Sequence, residues 1–298
     1  MIPSIWLLAF SLLAAAPFAT PVDVQVPVAP APVKAEDGVH LTYEVHLTNF
    51  RNKPLELVRL AILNGSKEVA AYEGVDLRSR MRRIAAPDDA DPRVLAPGMR
   101  AVAFIDLVCR TRAEVPASLR HRFSTAEETW EDEGVATIRQ EAAVVEAPLQ
   151  GERWVAMNGL SNTSSHRRTI VVVSGKARIA QRFASDWTRL SADGQPFHDD
   201  PAKNGNWYAY GAAVHSVADG VVVEVQDGIP ENDPTAGRMA VPITLETVGG
   251  NYVVIAIGRG RFAFYAHLQP RSLRVKAGDR VHAGQLLALL GNSGNSDA

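Results

Sequence analysis

The sequence predicts an all-β chain built as two successive units, and three observations carry that prediction. Between His40 and Thr48 the residues Leu41, Tyr43, Val45 and Leu47 alternate with Thr42, Glu44, His46 and Thr48, the period-two pattern of a strand with one buried face. Short apolar runs are separated throughout by Gly, Asn, Asp and Pro clusters, as at Asn49–Pro54, Asn64-Gly65 and Pro97-Gly98. From Asn251 to the last residue no helical spacing of i, i+3, i+4, i+7 survives.

Met1–Thr20 has the form of a secretory leader: the apolar core Ile5–Ala16 is too short to span a bilayer with tolerance, and small residues follow it. Cleavage after Ala19 gives a signal peptide over 1–19 and a secreted or periplasmic chain, with no stable membrane insertion expected. An uncleaved N-terminal anchor is the other reading of the same stretch, and it too leaves the rest of the chain outside the cytoplasm. Val22–Pro32 carries Pro27, Pro30 and Pro32 and reads as an extended lead-in. Strands are then expected around His40–Thr48, over Leu55–Leu63 with a return at Val69–Tyr72, and from Met99 through Leu107. Phe123, Val135–Ile138 and Ala143–Val145 close the set. Several short strands separated by turns fit an immunoglobulin-like β-sandwich over residues 33–148. His40, His46 and His121 are expected to face solvent, and Asp88-Asp89 with Asp91 to form a solvated acidic turn rather than a calcium loop.

With 298 residues, 46% of them hydrophobic, the chain is long enough for two packed cores. A net charge of -2 gives no footprint for nucleic acid or for a strongly charged surface ligand. The single Cys109 cannot form an intrachain disulfide and lies in the apolar run that starts at Ala101, where a small buried thiol is expected. Gln150–Ser165 is polar and is read as part of a linker over 149–165, leaving 166–298 as the second unit.

In that second unit Tyr252–Ile257, the turn residues Gly258-Arg259-Gly260 and Phe262–Leu268 form a hairpin signal. Leu273–Val275, the Gly278-Asp279 turn, Val281 and Leu286–Leu290 follow as further short strands. His267, at the end of the aromatic run, is the residue with the clearest chemical potential. The loop Asp227–Pro242 is long enough to wall a groove. Trp207, Tyr208 and Tyr210 are candidates for lining that groove, with turn or core packing as the competing use.

The blocks Gly250-Asn251-Tyr252-Val253-Val254-Ile255, Phe264-Tyr265-Ala266-His267-Leu268, Val275–Gln285 and Gly291–Ser296 resemble, in this order, the catalytic domain of the lysostaphin/LytM-type zinc metalloendopeptidases. The likeness extends upstream through Tyr210-Gly211 and Val217–Val222 to Asp186, about the last two-fifths of the chain. It implies an antiparallel β-sheet peptidase domain following the sandwich. It also implies zinc as cofactor and the peptides of bacterial cell wall as substrate. In that family two zinc ligands come from a His-x-Gly-x-Asp segment, the third is the second His of a His-x-His segment, and a further His on the Tyr-Ala-His-Leu strand handles protons. Carried over residue by residue, Asp186 stands at the Asp ligand position and His267 at the proton-handling position.

Two departures qualify that reading. Arg182 stands where the first ligand His is expected, and a protonated guanidinium has no lone pair for a metal. The chain ends at Ala298, where the family continues into its His-x-His strand, so the peptidase domain is expected to be C-terminally incomplete. Tight zinc binding is therefore not expected, although His166, His198 and His215 lie in the right half of the chain and are candidate replacements. The resemblance implies a cell-wall metalloendopeptidase-like protein whose hydrolytic activity is in question. The alternative is a non-catalytic protein of the same fold that binds peptidoglycan or regulates another wall hydrolase. A generic two-domain binding protein is a third reading. A biotinyl or lipoyl carrier, which Val275–Gln285 also resembles, lacks a Lys at a hairpin tip.

Overall fold

The structure, a computed structural model, describes residues 22–84, 90–137 and 142–296. The expected leader, Asp88-Asp89 and Ile138 lie outside the described residues. The chain divides into two compact units, Met1–Ala142 and Ala143–Ala298. Both are built almost wholly of antiparallel strands, as the patterning predicts.

The first unit is a two-sheet sandwich. One sheet has the order Val22–Gln25, Val39–Asn49, Arg100–Cys109, Met81–Arg83, with Pro32–Lys34 also paired to Val39–Asn49. The other runs Thr129–Glu131, Ser118–Ser124, Arg59–Asn64, Lys67–Glu73, with Val135–Ala136 paired to Ser118–Ser124. Leu41, Tyr43, Val45 and Leu47 from the first sheet share a core with Leu60, Ile62, Leu119 and Phe123 from the second. The alternation thus selects the buried face, and burial of each such side chain contributes roughly 1.5–3 kcal/mol. The hairpin at Asn64-Gly65 forms, with Arg59–Asn64 returning as Lys67–Glu73 and Gly65 at φ 61°. Cys109 is buried and free.

Several expectations need correction. The sheet begins at Val22 rather than 33, because Val22–Gln25 pairs antiparallel with His46–Asn49. Ala143–Val145 forms no strand and falls in the second unit. Gly74–Arg80 is a short helix, unexpected from a sequence with no long apolar period, and it plants Leu77 in the core. His46 and His121 are buried, not solvent-facing. His121 is satisfied inside the sandwich: its Nδ1 lies 2.5 Å from Asp132 Oδ2 and its Nε2 2.9 Å from the Tyr43 hydroxyl. A buried imidazole with both nitrogens partnered costs little, and alternation alone cannot show such a partner.

In the second unit a four-stranded sheet has the order Arg261–Leu268, Asn251–Gly258, Gly220–Gln226, Arg280–Val281. The hairpin is closed by Arg259 and Gly260, both at positive φ (53° and 70°), the geometry that matches the twist of the flanking strands. Leu286–Leu289 pairs with Ala213–His215, while Leu273–Val275 is irregular and is tied by Arg274 N to Leu287 O at 2.8 Å. Val222, Val253, Ile255, Tyr265, Leu268, Val281 and Leu287 make the core. The segment read as a linker is not one throughout: Trp154–Met157 pairs antiparallel with Asp186–Arg189. Its polar composition concealed a strand that is mostly exposed on both faces. Among the described residues no helix is long and apolar enough to cross a membrane.

The last turn, Gly291–Ser296, folds back on Gly249–Asn251, and two glycines allow it. Gly250 (φ 60°) and Gly294 (φ 74°) sit so close that a Cβ on either would collide with backbone of the other segment. Gly250→Ala or Gly294→Ala is expected to cost at least about 1–3 kcal/mol, from left-handed strain plus collision. Gly278→Ala, at φ 93° with open space around it, is expected to cost only the strain. Urea unfolding of the three variants checks this; equal costs would show that the close approach does not exist in solution.

Candidate functional site

The site is assembled where the strand Arg261–Leu268 ends. His267 is at φ 60°, a left-handed conformation unusual for a residue with a β-carbon. The surrounding backbone holds it there: His267 N donates to Gly249 O at 2.9 Å, and Gly291 N donates to His267 O at 3.0 Å. Its ring Nδ1 lies 2.8 Å from Ser293 O. A carbonyl can only accept, so the proton sits on Nδ1 and the Nε2 lone pair is left for other chemistry.

Ser293 is itself fixed through its hydroxyl. Its hydroxyl donates to Leu268 O at 2.8 Å and accepts Asn251 N at 2.9 Å, and the Asn251 amide donates to Ile229 O at 2.9 Å. Asn232 adds bonds to Gly294 O and Ser296 O at 2.8 and 2.9 Å. Tyr210 joins the same frame, because its hydroxyl donates to Glu231 Oε2 at 2.6 Å while Glu231 Oε1 accepts Asn292 N at 3.2 Å. Burial, helped by that carboxylate, pushes the Tyr210 phenol well above its ordinary range, so it donates at any physiological pH.

Asp186 opens the strand Asp186–Arg189, in register with Met157. The next residue, Asn158, turns at φ 53° and its amide donates to Asp186 Oδ2 at 2.7 Å. Asn tolerates that conformation better than most residues, which lets the turn aim its side chain at the carboxylate. The same turn leads into Ser164, whose hydroxyl caps Asn158 O at 2.8 Å, and then into the single helical turn Ser165–Arg168. Arg167 and Arg168 both bind Asn162, at its side chain and backbone oxygens respectively, and His166 is buried toward Asp186 with Nε2 3.3 Å from Oδ2. Its Nδ1 lies 3.4 Å from Ala184 O, a long hydrogen bond.

Asp186, His166 and His267 are within electrostatic reach of one another. Withdrawal of the His267 ring from water lowers its pKa below the usual histidine value, while the Ser293 carbonyl and the Asp186 charge pull it partly back up and His166 pushes it down. The ring is therefore neutral at pH 7, as a proton acceptor must be.

The other sequence candidates fall elsewhere. His198 bonds its neighbour Asp199 at 2.8 Å and lies against Tyr208, ring centres 5.6 Å apart. His215 sits at the Ala213–His215 strand end beside Leu286, its Nδ1 buried without a hydrogen-bond partner among the described residues. Trp207 is packed on Phe197 with its indole donating to Pro201 O at 3.0 Å. Arg182 is buried, its guanidinium 5.8 Å from the Phe183 ring centre. Asn158 and Ser293 were missed by sequence reasoning. The Asn158-Gly159 pair was the available signal, a turn signature inside a stretch read as linker.

Residues 207–298 match the family model of peptidase family M23, the same stretch that carries most of the lysostaphin/LytM-type resemblance. The matched stretch includes His267 and Ser293 and starts after Asp186 and His166. A crystal structure of an M23 peptidase candidate from Pseudomonas aeruginosa is 14% identical over 82% of this chain and 86% of its own, with a TM-score of 0.27, too low to carry an argument. No curated protein matches the chain.

The family's zinc can be tested against the donors present. Among the described residues no group of three or more His, Cys, Asp or Glu is placed to hold a metal. Two donors of the right chemistry do face each other, an imidazole nitrogen and a carboxylate oxygen. The pair fits part of such a site.

The lowered pKa of His267 makes stability depend on pH. The unfolded ring takes up its proton near pH 6.5, before the folded ring does, so stability falls as pH drops through that value and levels off below the folded pKa. Histidine-ring NMR is expected to place His267 below 6.5, and His267→Gln to flatten that part of the stability profile. A ring titrating above 6.5 would contradict the burial described.

Proposed function

We propose that the C-terminal unit is a cell-wall endopeptidase domain acting on the peptides of bacterial peptidoglycan in the secreted or periplasmic space. The observation that carries this reading is the neutral His267, locked by Ser293 O with its Nε2 lone pair free, in a domain of the M23 peptidase family. Asp186, oriented by Asn158, is the carboxylate suited to hold zinc. When bound, that metal supplies Lewis-acid polarisation of the scissile carbonyl and acidifies its water. As a water oxygen bonds to the carbonyl carbon and the C–N bond breaks, His267 Nε2 would take a proton from that water and deliver it to the leaving amine. The rigid frame under Ser293 keeps the ring oriented, which limits the entropic cost of reaching reactive geometry.

A second reading is favoured by a specific feature. Arg182 occupies the position of the family's first ligand, and this supports a non-catalytic domain that binds wall peptide or regulates another wall hydrolase. Incubating the zinc-supplemented chain with purified peptidoglycan separates the two. Release of new amino groups is expected, reduced about 10²–10⁴-fold in His267→Ala with sedimentation on the wall polymer retained. Sedimentation without release would favour the second reading, and neither would exclude both.

A further inference from the structure

We infer that His166 takes the place of the missing first ligand, so that His166 Nε2 and Asp186 Oδ2 form a two-donor seat for zinc across two separate segments. The inference rests on the peptidase reading for the identity of the metal, but its geometry is independent of it. The two atoms are 3.3 Å apart. That is long for a charge-assisted hydrogen bond, which closes to about 2.7–2.9 Å. It is the separation expected for two ligands on a tetrahedral zinc, about 3.3 Å for metal–ligand bonds of about 2.0–2.1 Å.

The outer contacts of both donors agree. His166 Nδ1 faces Ala184 O at 3.4 Å, an acceptor that can take the Nδ1 proton when the Nε2 lone pair is given to a metal. Two lone pairs cannot face each other at this distance without a cation between them, a proton or a metal. Metal-bound histidines commonly give their other N–H to a backbone carbonyl, and ligating carboxylates are themselves hydrogen-bonded; Asn158 Nδ2 supplies that bond to Asp186 at 2.7 Å. Both donors are set by local structure, His166 by the turn Ser165–Arg168 and Asp186 by its pairing with Met157. Arg182, four residues before Asp186, contributes no lone pair. His166 reaches the carboxylate from a different segment, twenty residues earlier.

The test is zinc affinity of the whole chain, with zinc chloride as probe, measured by competition with a chromophoric chelator. Wild type is expected to bind one ion, and His166→Ala and Asp186→Asn each to weaken binding by about tenfold or more. His198→Ala is expected to leave it unchanged. Asp186→Asn keeps the shape of a side chain that is part-exposed, so it remains informative if His166→Ala, which opens a buried position, lowers the melting temperature. Equal zinc affinity in wild type and in both ligand variants, or no zinc bound by the folded wild type, would overturn the inference. The same measurement separates the role of His166 from peptidase activity. Hydrolysis of peptidoglycan with unchanged zinc affinity in the variants would leave the peptidase reading standing and sink His166. Zinc lost on His166→Ala without any wall hydrolysis or binding would do the reverse.

Discussion

One hydrogen bond organises the chemistry of the C-terminal unit, that from His267 Nδ1 to Ser293 O. It decides the tautomer of the histidine and so which nitrogen is available. It is possible only because the turn Gly291–Ser296 closes over Gly249–Asn251, where Gly250 and Gly294 have no side chain to hold the two segments apart. Asn251, Asn232 and Glu231 then satisfy the polar groups buried by that closure. A buried polar network with this many partners is stiff, because losing one partner strands the others. The left-handed backbone at His267 is strain of the kind that persists only where neighbours over-determine it.

The second constraint is electrostatic. A carboxylate and two imidazoles gather at one place, and their protonation states are not independent. Burial lowers the His267 pKa, while the Asp186 carboxylate, oriented by Asn158, faces His166. The two histidines therefore differ in setting: one ring is locked by a backbone carbonyl and the other faces a carboxylate. Neither setting requires the sandwich, whose own buried histidine, His121, is fully occupied by Asp132 and Tyr43.

Much of the fold was legible because strand alternation and turn residues are local signals. The hairpin around Arg259-Gly260 and the core face of Val39–Asn49 follow from them directly. The strand Trp154–Met157 was not legible, since its exposed positions show no alternation and its pairing with Asp186–Arg189 is non-local. The same non-locality hid half of the site. His267 and Asp186 could be singled out from residue type and spacing, but the meeting of His166 with Asp186 depends on a turn at Asn158 that spacing does not encode. Buried His46 and His121 show the converse failure: alternation marks which face a residue takes, not whether that face meets water.

The chemistry proposed for the C-terminal unit depends on a free His267 Nε2. Long-range proton–nitrogen NMR correlation of the imidazole rings at pH 7 reads the tautomer directly. A neutral His267 carrying its proton on Nδ1 is the predicted result. A proton on Nε2, or a charged ring, would mean that the bond to Ser293 O does not hold in solution, and His267 would lose the lone pair on which its role depends.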